Sequence, residues 1–275
     1  MFVPLYDGLA YRSIRMAGVT YSILALSCAL YAAYAMQWLP GDLNNETWIS
    51  AAFGVIPTVL FGSAVLPDGL PLVPEAMTLL TSQFIHLSFL HLAGNMLFLL
   101  VFGDNVEDAM GHLRFAVFYG ACGAVGALAY AAANPDSLRP LVGASGSVSG
   151  IIAAYLILHP RVRLWGLFLS RIPLHLPAFW AIGFWVVFQI FQAWFGSDDV
   201  GWVAHLGGFA CGAVLVFVLR KPDQPLFGRE DDIETGNVKA ITDEEGAGAQ
   251  AFSNGYPPSA GMKTVSSAIM IDKPK

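Results

Sequence analysis

Charge is what this chain has least of. Asp, Glu, Lys and Arg make up 12% of its 275 residues, about half the usual share in a soluble domain. What charge there is leans acidic, a formal net of −6, and no stripe of Lys and Arg is visible, which argues against a nucleic-acid partner. Cysteine is scarce too. Cys28, Cys122 and Cys211 each sit in an apolar segment, as small packing residues do, rather than in a disulfide framework or a metal set. His86, His91 and His205 could supply three ligands, but there is no HExxH, no Cys pair and no carboxylate within the apolar segments to complete a familiar site. Neither a metal nor a cofactor is expected. The opening MFVPLYDGLAYR lacks the short apolar core and small-residue cleavage site of a secretory signal, so the first apolar helix is expected to stay in the protein.

What is abundant is hydrophobic sequence, 56% of the chain with a mean hydropathy of +0.59. Roughly 20 apolar residues cross a bilayer. Six segments approach or meet that length, near Ala17–Leu39, Leu87–Phe102, Phe115–Ala133, Ser145–Leu158, Pro177–Phe195 and Gly201–Leu219. None contains Asp or Glu. A further run, Ala51–Leu66, has only 16 residues and is broken by Gly54, Pro57 and Gly62, which reads as re-entrant or interfacial. With six spans, one side receives Arg12, Arg15, Arg114, Arg161, Arg163, Arg171, Arg220 and Lys221, and the other only Arg139. The excess of positive charge then puts both termini in the cytoplasm. The expected fold is an all-α, polytopic bundle of six transmembrane helices. Residues 1–16 would form a cytoplasmic N-terminal segment and 17–219 the membrane domain, with an outer loop at 41–86. Residues 220–275, polar and without apolar periodicity, would form a disordered cytoplasmic tail.

Within this frame, GASGSVSG (Gly143–Gly150) starts a short apolar helix below the outer surface, and non-helical backbone at that depth must line protein or water. Ser145 taken alone reads as an N-cap, and His205 taken alone as a satisfied buried histidine. Together they read as a nucleophile and its base. His205 shares a helix face with Gly208 and Gly212, whose missing side chains let two backbones approach. With no carboxylate in the spans, the chemistry would be a dyad. Asp198 and Asp199 read as solvated turn charges. His91 and Asn95, four apart, could either bond neighbouring helices or donate to an oxyanion. Ser147 points to another face, so its loss should be near neutral. Ser149 lies one turn below Ser145 and could orient His205.

GASG, AHLGGFACG and H-x4-H-x3-N, in that arrangement on six apolar segments and with the connecting GDNVEDAMGHLRFAVFYG, resemble the rhomboid family of intramembrane serine proteases over about Ala76–Leu219. The resemblance implies that Ser145 is the nucleophile and His205 its general base. It implies that His91, Asn95 and the Gly146 region hold the oxyanion, with His86, Ser149, Gly143, Gly150, Gly208 and Gly212 in support. It implies hydrolysis of peptide bonds in or near the transmembrane helices of membrane-protein substrates, inside the lipid bilayer, in a bacterial inner or comparable membrane. The alternative is a catalytically inactive relative that binds or chaperones such helices. No feature of the sequence sets the oligomeric state. Two positions depart from the family pattern. Met77-Thr78 stands where many members have Trp-Arg, and Ser149 where an aromatic often stacks on the catalytic imidazole, so the resemblance supplies neither the anchor of the outer loop nor the group that orients His205.

Overall fold

The computed structural model describes residues 2–70, 72–168, 171–195 and 201–228. Asp198, Asp199 and most of the expected tail lie outside the described residues. In chain order the elements are β1 (Phe2–Tyr6), α1 (Gly18–Ala35), α2 (Glu46–Phe53), α3 (Pro57–Leu60), α4 (Thr78–Thr81), α5 (Phe89–Phe98), α6 (Asp104–Met110), α7 (His112–Ala133), α8 (Ser145–Leu158), β2 (Arg163–Phe168), β3 (Ile172–Pro177), α9 (Ala178–Phe195) and α10 (Trp202–Leu219). The turn of π-helix at Leu99–Gly103 fuses α5 and α6 into one helix, Phe89–Met110. Among the described residues, four helices are long and apolar enough to cross a membrane: Gly18–Ala35, Phe89–Met110, His112–Ala133 and Trp202–Leu219. Two shorter apolar helices, Ser145–Leu158 and Ala178–Gln192, occupy the other expected segments. At 1.5 Å per residue the 14 residues of α8 reach only about 21 Å, short of a hydrocarbon core of roughly 30 Å.

Two expectations need correction. The fold is mostly helical but not all-α, because β1, β2 and β3 form a three-stranded antiparallel sheet in that order. The signal was an alternation of period two: along β2, Leu164 and Gly166 are buried while Arg163 and Trp165 are exposed. The second apolar helix also runs past Phe102 to Met110, which brings Asp104, Glu107 and Asp108 into it. These carboxylates serve backbone groups. Glu107 accepts from the N–H groups of Val19 and Thr20 at 2.9 and 2.7 Å, placing a negative charge at the start of α1, where the free N–H groups and the helix dipole favour it. Asp108 accepts from the N–H groups of Arg12, Ser13 and Ile14 at 2.7–2.8 Å, and Lys221 Nζ reaches its carbonyl at 3.0 Å.

The elements thus sort to two ends. One gathers residues 12–20, 104–112 and 221, and through Gly228 N–H to the Leu158 carbonyl also the end of α8. The other gathers the 41–86 segment. Val55 and Leu141 exchange backbone bonds of 2.9 and 2.8 Å, Thr58 N–H donates to Ser137, and Thr81 Oγ1 donates to the Phe53 carbonyl at 2.9 Å. Those bonds anchor the loop that lacks a Trp-Arg pair. Between the two ends, α7, α8 and α10 meet along glycines. A Cβ on Gly208 would overlap the carbonyl of Gly146, and one on Gly212 the carbonyl of Gly150. Where no side chain intervenes, backbones approach to van der Waals contact, which holds helices together where the hydrophobic effect does not.

Candidate active site

Helix α8 begins without a side-chain cap. The residue preceding it, Ala144, is already in the right-handed helical region, and Ser145 is the first helical residue, half-buried, its hydroxyl accepting from no backbone N–H among the described residues. The structural reading of Ser145 as an N-cap is therefore not what the fold uses it for. The N–H groups of this first turn have no partner within the helix, and the dipole end beside them suits negative charge.

Gly143 sets the approach. Its φ of +117° is a backbone conformation that side chains disfavour, its N–H donates to the Ser82 carbonyl at 2.8 Å, and a Cβ there would run into the ring of His91. His91 is thereby seated directly on the turn before Ser145. Asn95, buried one turn further along α5, donates to the His91 carbonyl at 2.9 Å, and its amide carries a second hydrogen. His86 is structural in its bonds: Nδ1 lies 3.3 Å from the Phe84 carbonyl and Nε2 accepts from Ala144 N–H at 3.4 Å, two contacts that agree on one neutral tautomer. The His86 and His91 rings lie 5.1 Å apart.

His205 enters from the first turn of α10, half-buried, its N–H bonded to the Gly201 carbonyl. Backbone contacts register it to Ser145. A Cβ on Gly126 of α7 would stand 2.6 Å from the Ala204 carbonyl oxygen and 3.3 Å from the Gly146 Cα, so the neighbours of His205 and of Ser145 converge on one spot. No hydrogen bond joins Ser145 Oγ to His205 among the described residues. The imidazole is held instead by groups the sequence reading passed over: Gln189 Nε2 lies 3.1 Å from Nδ1, Trp185 stacks at 6.4 Å and 29°, and Trp202 meets the ring edge-on at 5.7 Å. Their signal was a polar residue in an apolar helix, Gln189, with Trp185 four residues before it on the same face.

Two serines are placed differently from expectation. Ser149 does not orient His205, because its hydroxyl donates back to the Ser145 carbonyl at 2.7 Å, the local bond a helical serine makes when nothing better is in reach. Ser147 is not idle. It is fully buried, and its Oγ donates at 2.8 Å to Gln83 Oε1, whose amide nitrogen in turn bonds the carbonyls of Leu79 and Gly120. A Cβ on Gly150 would overlap the Cys122 side chain, whereas one on Gly146 would make ordinary contacts only.

The residues that carry this geometry lie within 73–222, where the chain matches the Rhomboid domain. It is 31% identical over 160 residues to RHOMBOID-like protein 12, mitochondrial, of Arabidopsis thaliana, a match spanning 52% of this chain and 46% of that one. Against Rhomboid protease GluP of Bacillus subtilis it is 28% identical over 212 residues, 76% of this chain and 36% of the relative. Against Inactive rhomboid protein 1 of Drosophila melanogaster it is 39% identical over 135 residues, 48% of this chain and 9% of the relative. In each pairing the match spans less than half of the relative's own length. A family match over more than half of this chain, on the segments that carry GASG and AHLGGFACG, places it in the rhomboid family of membrane proteins.

Proposed function

We propose that the chain is an intramembrane serine endopeptidase working through a Ser145–His205 dyad. One observation carries this reading: Ser145, relieved of any capping duty, opens α8 beside N–H groups unpaired among the described residues, and the glycine contacts register that turn against the turn of α10 holding His205. In the proposed reaction Ser145 Oγ attacks the scissile carbonyl while its proton passes to His205 Nε2. The oxyanion forms against the N–H groups of the α8 start, with His91 and Asn95 beside it. His205 returns the proton to the leaving amine, and water then hydrolyses the acyl-enzyme by the same route in reverse. The substrates would be transmembrane helices of other membrane proteins, unwound locally at small side chains, because a helical peptide bond is shielded by its own hydrogen bonds.

All six apolar helices are proposed to lie in the membrane, with the short α8 buried among its neighbours. The basic segments around Arg12, Arg161 and Lys221 would sit on the inner side and Ser145 toward the outer face. Two contacts support an even number of spans: Arg12 and Lys221 both bond Asp108, at one end of the bundle. Relatives occur in a plant mitochondrion and in a bacterium, and the proposed orientation applies to a bacterial inner membrane and to a mitochondrial one alike.

The test is labelling of the purified full chain with a fluorophosphonate, followed by peptide mapping, beside cleavage of a reporter transmembrane substrate. Labelling at Ser145, lost in Ser145→Ala and in His205→Ala, supports the protease. The similarity to a relative named as inactive favours one rival, a helix-binding protein without chemistry. Folded chain that binds the substrate but neither labels nor cleaves would establish the rival.

A further inference from the structure

Helix α9 carries one polar side chain that is almost wholly buried. Gln189 is 2% exposed, and its Nε2 lies 3.1 Å from His205 Nδ1. Its Oε1 is buried with no partner among the described residues. An amide in an apolar helix is costly unless its bonds are used, and here the imidazole is the group it meets. The two ends of an amide have the same shape and reach, so half a turn about the last bond exchanges them at Nδ1.

The two arrangements differ in chemistry. If the amide N–H donates to Nδ1, the imidazole carries its proton on Nε2 and has no lone pair there for Ser145. If Oε1 accepts from Nδ1–H, the Nε2 lone pair is free. Only the second arrangement survives proton transfer, because the imidazolium has hydrogens on both nitrogens and Nδ1–H then needs an acceptor.

We propose that Gln189 is the positioning residue of His205: its Oε1 accepts from Nδ1–H, selects the tautomer with Nε2 free, and holds the ring between Trp185 and Trp202 through acyl transfer. This rests on the Ser145–His205 reading above. Ser145 gives its proton to Nε2, Nε2 gives it to the leaving amine, and Gln189 keeps its own protonation throughout. An amide stabilises the imidazolium less than a carboxylate does, but it places no charge among the apolar groups of α9 and α10. It fills the role left open by Ser149.

The experiment uses the full chain in detergent with Gln189→Leu, which keeps the volume, and Gln189→Glu, which keeps the acceptor and adds charge. The readouts are the rate of Ser145 fluorophosphonylation, kcat and KM on a reporter substrate, the pH profile, and the nitrogen chemical shifts of His205. Gln189→Leu should lower kcat by on the order of 10²-fold with KM within about twofold, the scale of a general-base contribution. An acceptor on Nδ1–H favours the protonated ring, so the acid limb of kcat/KM should move to lower pH in Gln189→Leu and to higher pH in Gln189→Glu. The shifts should show Nε2 unprotonated in the wild type. A folded Gln189→Leu with wild-type kcat and an unmoved limb overturns the proposal. Should Gln189→Leu not fold, the wild-type tautomer decides, and a proton on Nε2 overturns it. Wild-type chain that never labels at Ser145 sinks the protease reading instead, while the tautomer still tests the Gln189–His205 bond.

Discussion

Replacing Gly208 with Ala puts one methyl group into the seam that registers the two halves of the proposed dyad. A Cβ at Gly208 would stand 2.8 Å from the carbonyl carbon of Gly146, 3.1 Å from its Cα and closer still to its oxygen. Carbon contacts rest at about 3.5–4.0 Å, so α8 and α10 must part by roughly 1 Å, and both sides of the clash are backbone that no rotamer change can move. Ala in a helix is intrinsically better than Gly by about 1 kcal/mol, but overpacking of this kind costs about 1–3 kcal/mol or more. With backbone on both sides the cost falls at the severe end, so a net loss of about 2 kcal/mol or more is expected. The functional loss should be larger, because a displacement of about 1 Å between reacting groups can cost about 10²-fold in rate. The control is Gly183→Ala on α9, where a Cβ meets nothing within 4 Å. Relief of backbone entropy there should leave stability unchanged or raised by up to about 1 kcal/mol. Thermal unfolding in detergent and the rate of fluorophosphonate labelling read the two effects. A Gly208→Ala chain as stable and as quickly labelled as the wild type would show that the seam is looser than the packing requires.

Three other outcomes follow. Ser147→Ala removes the donor to Gln83 Oε1 and should cost about 1–3 kcal/mol of stability while Ser145 still labels; unchanged unfolding would remove Ser147 from the buried network. Asn95→Ala, if Asn95 donates to the oxyanion, should lower kcat more than it raises KM, by up to about 10²–10³-fold, and equal kcat in Asn95→Ala and His91→Ala to the wild type would take both out of the site. Asp7, in the N-terminal segment, is buried beside Tyr155 and Asn105, and burial pushes its carboxyl from 3.8 up to about 6. A carboxyl raised by folding costs nothing while protonated in both states, below about pH 4, and destabilises as pH rises through 6. The Tm of Asp7→Asn relative to the wild type should therefore climb between pH 4 and pH 7, by the equivalent of about 2–3 kcal/mol, and a flat difference would refute the burial argument.

The 41–86 segment shows how far local reading reaches. Gly54, Pro57 and Gly62 predict a broken run, and α2 and α3 are indeed short pieces on either side of Gly54. What holds those pieces is not local: Thr81 bonds Phe53, and Val55 pairs with Leu141 across 86 positions of chain. The sheet was missed for a different reason. A search for apolar windows near 20 residues averages away a six-residue alternation such as RLWGLF, and although β3 pairs with β2 locally, the third strand joins only when β1 folds back from the N-terminus. Glu107 and Asp108 lie in the connecting GDNVEDAMGHLRFAVFYG, and only the structure shows them capping α1 and the segment before it.

The site divides along the same line. Sequence alone determined the apolar segments, the small-residue faces, and the candidacy of Ser145, His205, His91 and Asn95, because hydropathy, glycine spacing and i, i+4 periodicity are properties of neighbours in the chain. Tertiary structure alone decided which hydroxyls are already spent and what holds the imidazole. Ser149 bonds its own helix, Ser147 bonds Gln83 from 64 residues away, and His205 meets Gln189 from a different helix. A polar side chain in an apolar segment must find a partner, but the sequence does not say which one, since that depends on how helices distant in the chain are rotated against each other.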